Sequence, residues 1–459
     1  MTSAALCARD VALEVLQAVL RRRRPLDEAL AGHPGVGRLA SRDRAFARLV
    51  VATALRRLGQ IDGLIDHCLE RPLPDKAQGV RDVLRLGLAQ LVFLGTPAHA
   101  AVDTSVTLAE AHRHGPHKGL VNAVLRRLAR DGAALSAAQD AARLNTPDWL
   151  WHSWSHAYGE ETCRAIAEAH LTPPPLDITV KGDPQNWAEW LDAMLLPTGS
   201  LRRPGTSSSA RAKAGEGGER DELGEAGTEG ERSSGAVSGL PGFAAGAWWV
   251  QDAAAALPAR LLGDVKGRTV LDLCAAPGGK TAQLAAKGAR VVAVDLSARR
   301  LERVRENLDR LRLSAELIVA DAADWRPEAP AQAVLLDAPC SGTGTLRRHP
   351  DIAHLKSAED VERLAELEHK LLLNATTMLA PGGVLVYAVC SLQPEEGEAR
   401  IAALLAAGAP LKRVPVEASE VGGLAEMVTG DGDLLTLPCH LKERGGIDGF
   451  YAARLQRLG

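Results

Sequence analysis

Aromatic residues make up 3% of this 459-residue chain, and methionine occurs four times. No apolar stretch approaches the roughly 18 uninterrupted residues of a membrane-spanning helix, so no membrane partner is expected. The seven cysteines, at 7, 68, 163, 274, 340, 390 and 439, form no C-x-x-C pair. That spacing speaks against a zinc ribbon and against a disulfide framework, and no metal site is expected. Neither sign of charge dominates: 54 Lys and Arg stand against 57 Asp and Glu, a net of −3. No secretion signal is expected either, because the basic run "RRRR" follows the apolar N-terminal stretch instead of preceding it. The expected address is the cytoplasm.

What is present is apolar sequence in quantity, 46% of all residues. The length suggests about three domains at the usual 100–200 residues each. Residues 1–130 carry 20 Lys and Arg against 12 Asp and Glu, an asymmetry that points to a polyanionic partner or to a solvated helical face. Apolar residues there recur at helical spacing. In "GLVNAVLRRLAR", Leu120, Val121, Val124, Leu125 and Leu128 share a stripe that Arg126, Arg127 and Arg130 largely avoid. An all-helical domain is predicted over 1–140. A small α+β connecting domain follows over 141–245, with "LDITVK" as a strand. Within it, about 199–239 are rich in Gly, Ser, Glu and Arg and predict a flexible insertion.

From 246 to 459 the rhythm is strand, turn, helix. Strands are predicted at "TVLDL" (269–273), "RVVAV" (290–294), "ELIVA" (316–320), "AVLLD" (333–337) and "VLVYAV" (384–389). Between them lie amphipathic segments such as "RRLERVRENLDRLRL", with Leu301, Val304, Leu308 and Leu311 on one stripe. Nearly continuous apolar strands alternating with helices imply a parallel sheet covered on both faces. Ligands of such sheets sit beyond the carboxyl ends of the strands.

The first of those ends reads "VLDLCAAPGGKT". A P-loop requires a glycine five residues before Gly279, where Cys274 stands, and the dinucleotide fingerprint G-x-G-x-x-G is absent. A glycine turn opening a helix remains, suited to a nucleoside or carboxylate, although a purely structural turn is also possible. Asp295, Asp321 and Asp337 end the next three predicted strands. Any one of them alone is most simply a helix cap. Together they fit a nucleoside without phosphates: Asp295 on the ribose hydroxyls, Asp321 near an adenine amino group, and acids that tolerate the sulfonium of S-adenosylmethionine.

Two cysteines follow the last two strands, Cys340 in "DAPCSGTGTLRRHPD" and Cys390 in "VYAVCSLQPEEGE". An isolated free cysteine is most often a small buried hydrophobe. Matched placement at the ends of neighbouring strands favours chemistry instead. Carbon 5 of cytosine becomes nucleophilic only after a thiolate adds to carbon 6, whereas amino-group methylation needs no thiol. For the latter an aromatic residue would be expected at position 340. Arg347, Arg348 and His349 are available to favour a thiolate or to meet an RNA backbone.

The motifs "DLCAAPGGKT", "VDLS", "ADAADW", "DAPCSGTGTLRRHPDI", "YAVCSLQPEE" and "DGFYAARL" resemble those of bacterial RNA 5-methylcytosine methyltransferases, specifically the 16S ribosomal RNA methyltransferase B (Sun/Fmu) family. The N-terminal part resembles that family's NusB-like RNA-binding domain. The resemblance implies a Rossmann-like class I methyltransferase fold, S-adenosylmethionine as cofactor, and 16S ribosomal RNA as partner of what is expected to be a monomer. It makes Cys390 the nucleophile and Cys340 the residue that assists release. It makes Cys274, Ala275, Ala276, Pro277, Gly278, Gly279, Lys280, Asp295, Asp321 and Asp337 the cofactor contacts, with Asp337 also a candidate partner of the cytosine edge. Val389 departs from the family's usual Thr before the nucleophile. Rival readings are a methyltransferase acting on transfer RNA, a non-catalytic RNA-binding or antitermination factor, and a nucleotide hydrolase built on "APGGKT".

Overall fold

The computed structural model describes residues 3–74, 77–203 and 237–459. They form two compact units, each drawn from separate stretches of chain. The helical unit comprises residues 1–173, 341–363 and 391–394, and the sheet unit the remainder.

In the helical unit run α1 (Ser3–Arg22), α2 (Leu26–Ala31), α3 (Ser41–Arg56), α4 (Leu58–Cys68), α5 (Gln78–Leu88), α6 (Ala98–Ala111) and α7 (Lys118–Ala137). Burial follows the apolar stripes. In α7, Val121, Val124, Leu125 and Leu128 are buried while Arg126, Arg127 and Arg130 are exposed. These residues join Leu13, Leu16, Val50, Ile61 and Leu84 in a single core. Three further helices, α8 (Ala141–Leu144), α9 (Asp148–Tyr158) and α10 (Glu160–His170), complete the consecutive part. They are tied to the first seven by Asn145, whose Nδ2 donates to Gln60 Oε1 at 3.0 Å and whose Oδ1 accepts from the Gln60 backbone N–H at 3.1 Å. The bond to the buried Gln60 side chain avoids the desolvation cost of leaving its oxygen unpaired.

The sheet unit begins with a four-stranded antiparallel sheet of β1 (Leu176–Val180), β2 (Met194–Leu195), β3 (Leu201–Arg203) and β4 (Trp248–Val250), ordered β2-β3-β1-β4. The short helix α11 (Gln185–Ala188) lies between β1 and β2 in the chain. Strand β3 starts inside the stretch expected to be a flexible insertion, and its reason is electrostatic. Buried Arg202 makes a two-pronged pair with buried Asp177 of β1, at 2.7 and 2.6 Å. Residues 204–236 of that insertion lie outside the described residues, and its end, Val237–Gly239, forms a single helical turn.

The large sheet comprises β5 (Thr269–Leu273), β6 (Arg290–Asp295), β7 (Glu316–Val319), β8 (Ala331–Asp337), β9 (Leu379–Val389), β10 (Leu411–Arg413), β11 (Leu434–Thr436) and β12 (Phe450–Arg457). Its order is β10-β12-β9-β8-β5-β6-β7, with β11 also paired to β12. β5 to β9 are mutually parallel, as the strand-helix rhythm implies, but β10, β11 and β12 run antiparallel at the other edge. The five strands expected to be parallel are so, and three strands not read from the sequence extend the sheet at its other edge. A helix, Glu398–Ala406, lies between β9 and β10 in the chain, and β12 pairs between those two strands in the sheet. Helices α12 (Gly279–Ala286), α13 (Ala298–Leu311), α14 (Ile352–Leu355), α15 (Ala358–Met378) and α16 (Glu398–Ala406) complete the element list. In α13 the predicted stripe of Leu301, Val304, Leu308 and Leu311 is buried, and the Ser297 hydroxyl caps its start by accepting from the Arg300 amide. Strand order reverses between β5 and β8, the switch point where ligands of such sheets bind.

Candidate active site

The turn after β5 is built around two left-handed residues, Cys274 at φ 62° and Gly278 at φ 96°. Gly278 is required on two counts. A side chain there would be strained at that φ, and its Cβ would come within 2.9 Å of Val304 on α13. The turn also closes α13 tightly against α12. Thr281, one turn into α12, donates to Asp272 Oδ2 at 2.6 Å, so the helix is pinned to its own strand. Burial raises the Asp272 carboxyl to about 7 against that hydrogen bond, and burial with the nearby acids Asp337, Asp295 and Asp272 raises the Cys274 thiol to about 12. Cys274 is therefore an inert thiol.

Asp295, at the end of β6, is almost wholly buried, and its carboxylate is pre-oriented by two backbone amides. Oδ2 accepts from Ala276 at 3.1 Å and Oδ1 from Ser297 at 3.0 Å. Arg300 reaches the same carboxylate at 3.5 Å and also donates to the Ala276 carbonyl. Each carboxylate oxygen keeps a further lone pair for a ribose hydroxyl. Next to it Leu296 is 71% exposed, an apolar surface at a strand end where a purine ring can lie. Asp321, after β7, is exposed and accepts from the Ala323 amide at 2.9 Å. This donor set fits S-adenosylmethionine: acids for hydroxyls and a sulfonium, an apolar face for adenine, and no phosphate cradle.

Across the switch point, Lys280 of α12 and Asp337 of β8 form an ion pair at 2.7 Å, and the Lys280 ammonium also lies 4.8 Å from the ring centroid of buried Phe450. Both ionic residues are among the predicted contacts, but the sequence does not announce that they hold each other. Arg300, Leu296 and Phe450 were missed as site residues. For Phe450 a signal existed, since it sits in the quoted motif "DGFYAARL".

Cys340 and Cys390 follow adjacent parallel strands, β8 and β9, and their sulfurs are 3.4 Å apart. The hydrogen bond to Cys390, then burial, then the charge of Cys390 and of Glu396 and Glu368 push the Cys340 thiol well above its ordinary range. Cys340 is thus held toward its protonated form, and either sulfur can donate to the other. Val389, the departure from the family motif, is fully buried in an apolar cluster with Leu336 and Tyr387, so no hydroxyl is missed at that position. Glu368 of α15 is fully buried, and the Tyr387 hydroxyl beside it donates to the Glu396 carbonyl at 2.5 Å. Of the three basic residues expected near the cysteines, Arg347 is buried in the helical unit and His349 lies 3.5 Å from Asp27.

A switch-point nucleoside cradle at the ends of parallel strands defines an S-adenosylmethionine-dependent methyltransferase of class I. Comparison with known proteins agrees. Residues 259–456 match the 16S rRNA methyltransferase RsmB/F model, and residues 7–130 match the NusB family. The chain is 38% identical to the ribosomal RNA small subunit methyltransferase B of Pseudomonas putida, over 98% of both chains. It is 37% identical to that of Vibrio cholerae, over 79% of this chain and 81% of the other. Among solved structures it resembles PH0851 (TM-score 0.70, 20% identity, 100% of both chains). It also resembles NSun6 from Pyrococcus horikoshii (TM-score 0.52, 21% identity, 68% of this chain and 98% of that one). The chain belongs to the ribosomal RNA small subunit methyltransferase B family, and its activity is RNA methylation.

Proposed function

We propose that this protein methylates carbon 5 of a cytosine in 16S ribosomal RNA through a covalent adduct between Cys390 and carbon 6 of the base. The observation that carries the reading is the thiol pair, 3.4 Å apart at two adjacent strand ends of a methyltransferase sheet. Cys390 adds as thiolate to carbon 6, which makes carbon 5 electron-rich. Cys274 to Lys280, Asp295, Asp321 and Asp337 would hold S-adenosylmethionine, whose sulfonium would supply a methyl group to carbon 5, the methyl–sulfur bond breaking with its electron pair to the sulfur of the departing S-adenosylhomocysteine. A base then takes the proton from carbon 5, and the bond to Cys390 sulfur breaks with return of its electron pair to sulfur.

The preference of Cys340 for its protonated form supports this division of labour. A protonated thiol beside Cys390 stabilises the departing thiolate by hydrogen bonding, which suits a role in release. Asp337, fixed by Lys280, is available to accept from the cytosine amino group. The RNA is assigned to the basic helical residues 1–140 with the connecting residues 141–245, and the transfer to residues 246–459. Phosphate contacts would position the RNA, and a base inside structured RNA must be unstacked before it reaches the thiols. We assign the protein to the cytoplasm as a monomer.

The test is transfer of labelled methyl groups to unmodified 16S RNA. Cys390→Ala is expected to be inactive, and Cys340→Ala to accumulate a covalent protein–RNA adduct visible on a denaturing gel. Full activity of Cys390→Ala, or no adduct with Cys340→Ala, overturns the assignment.

A further inference from the structure

The residues directly after each reactive cysteine belong to the helical unit: Ser341 to Arg363 after Cys340, and Ser391 to Pro394 after Cys390. Buried hydroxyls join these two segments to each other. Ser391 Oγ lies 3.1 Å from Ser341 Oγ and 3.2 Å from Thr343 Oγ1, and the Leu392 amide donates to Thr343 Oγ1 at 3.0 Å.

Helix α9 then holds the second segment from outside. Trp154 Nε1 donates to Gln393 Oε1 at 2.8 Å, Gln393 Nε2 donates to Ser153 Oγ at 2.8 Å, and the Tyr158 hydroxyl donates to the Leu392 carbonyl at 2.7 Å. The first segment is held by α2 and α3. The Leu26 amide donates to Asp351 Oδ2 at 2.9 Å, Arg56 donates to the Arg347 carbonyl at 2.7 Å, and His354 Nε2 pairs with the Leu55 carbonyl at 2.9 Å. The Trp154–Gln393 and Leu26–Asp351 bonds are made out of water, where losing a partner leaves an unsatisfied group, and those of Ser153 and Tyr158 are half-buried.

From this arrangement we propose that the helical unit is a catalytic clamp as well as an RNA binder. By fixing the peptide one bond downstream of both cysteines, it sets the separation and direction of the two thiols. Gln393, Tyr158 and Asp351 are then positioning residues for a reaction none of them touches. The proposal rests on the reading that both thiols serve the same base, but the separation of the thiols can be measured without any RNA.

The experiment uses the full-length chain with Tyr158→Phe, which deletes one hydroxyl, and Gln393→Leu, which deletes both side-chain bonds. Two readouts are taken. The first is the rate at which the azo oxidant diamide joins Cys340 and Cys390: each thiol gives up one hydrogen, the N=N bond is reduced to a hydrazine, and one S–S bond forms. That reaction requires the sulfurs to reach disulfide geometry, and it reports their alignment directly. The second is the split between kcat and KM for unmodified 16S RNA. Gln393→Leu is expected to slow disulfide formation several-fold and to lower kcat by about 10–100-fold, the effect of a misplacement near 1 Å, with KM within about twofold. Tyr158→Phe should move both readouts the same way by a smaller factor, and it decides alone if Gln393→Leu does not fold. Wild-type oxidation rates and wild-type kcat in the folded variants, or a loss confined to KM, would overturn the clamp. Should Cys390→Ala remain active while the oxidation rates shift as expected, the carbon-5 reading and the catalytic role of the clamp both fail, and only the positioning of the two thiols by the helical unit stands.

Discussion

The carboxyl group of Glu368 is fully buried, and burial, then the charge of Glu396, raise it to about 9 from an ordinary 4.5 against the opposing effect of the Tyr387 hydroxyl. At neutral pH it is a neutral acid, since a carboxylate so buried is too poorly solvated to persist. The folded chain therefore binds one more proton than the unfolded chain between those two values, and stability falls as pH rises across that window. Gln, which has the same shape and no proton to lose, should remove the dependence. Glu368→Gln is expected to gain about 1–3 kcal/mol on wild type between pH 5 and pH 8, read as the difference in denaturant unfolding at the two values. A pH-independent difference would count against a neutral Glu368. Nothing in "AELEHKLLL" signals this residue, because one acid on an amphipathic helix reads as solvated. The cysteine pair was legible, since both members come directly after strands whose apolar pattern is plain.

Among the elements, β5 and the turn into α12 matched their reading, but the part played by the glycines differs. Gly278 is required by φ 96° and by Val304 whatever it binds, whereas Gly279 would accept a Cβ at 3.5 Å from Gln251. Gly278→Ala should lower unfolding stability by about 1–3 kcal/mol and weaken S-adenosylmethionine binding, measured by calorimetry, while Gly279→Ala should do neither to that extent. Equal effects at both positions would remove this distinction. Strand β9 begins at Leu379, five residues before the predicted start, because Pro381, Gly382 and Gly383 read as a turn yet continue the strand. Strands β10 and β11 have three residues each, too short for alternation to register. Arg202 and Asp177 explain why β3 could not be read either: an ion pair between positions 25 residues apart leaves no local pattern.

On the scale of the whole chain, the excess of Lys and Arg in residues 1–130 belongs to the helical unit, much of it exposed, including Arg22, Arg24, Arg126, Arg127 and Arg130. Binding of RNA should then depend steeply on salt. Four phosphate contacts, at a slope of about 0.7 per contact for single strands, would weaken binding by about 50-fold between 50 and 200 mM salt. A filter-binding series checks this, and a flat response would exclude the basic helices as the RNA-facing surface. Sequence reading divides a chain into consecutive blocks, and for the apolar stripes of α1 to α7 that works. It has no means of assigning residues 341–363 to a core built by residues 8–128, because the contact is made by Leu355 in three dimensions and not by any periodicity.

That discontinuity limits how this protein can be recombined. A gene segment encoding only the first 173 residues is not an exchangeable module, because 27 residues of its packing partner are encoded in two islands within the transferase half. Ancestral shuffling that swapped the leading part alone would have left both islands facing a foreign surface. The two halves are expected to have been inherited together, and chimaeras between relatives should fold only when the islands travel with the helices.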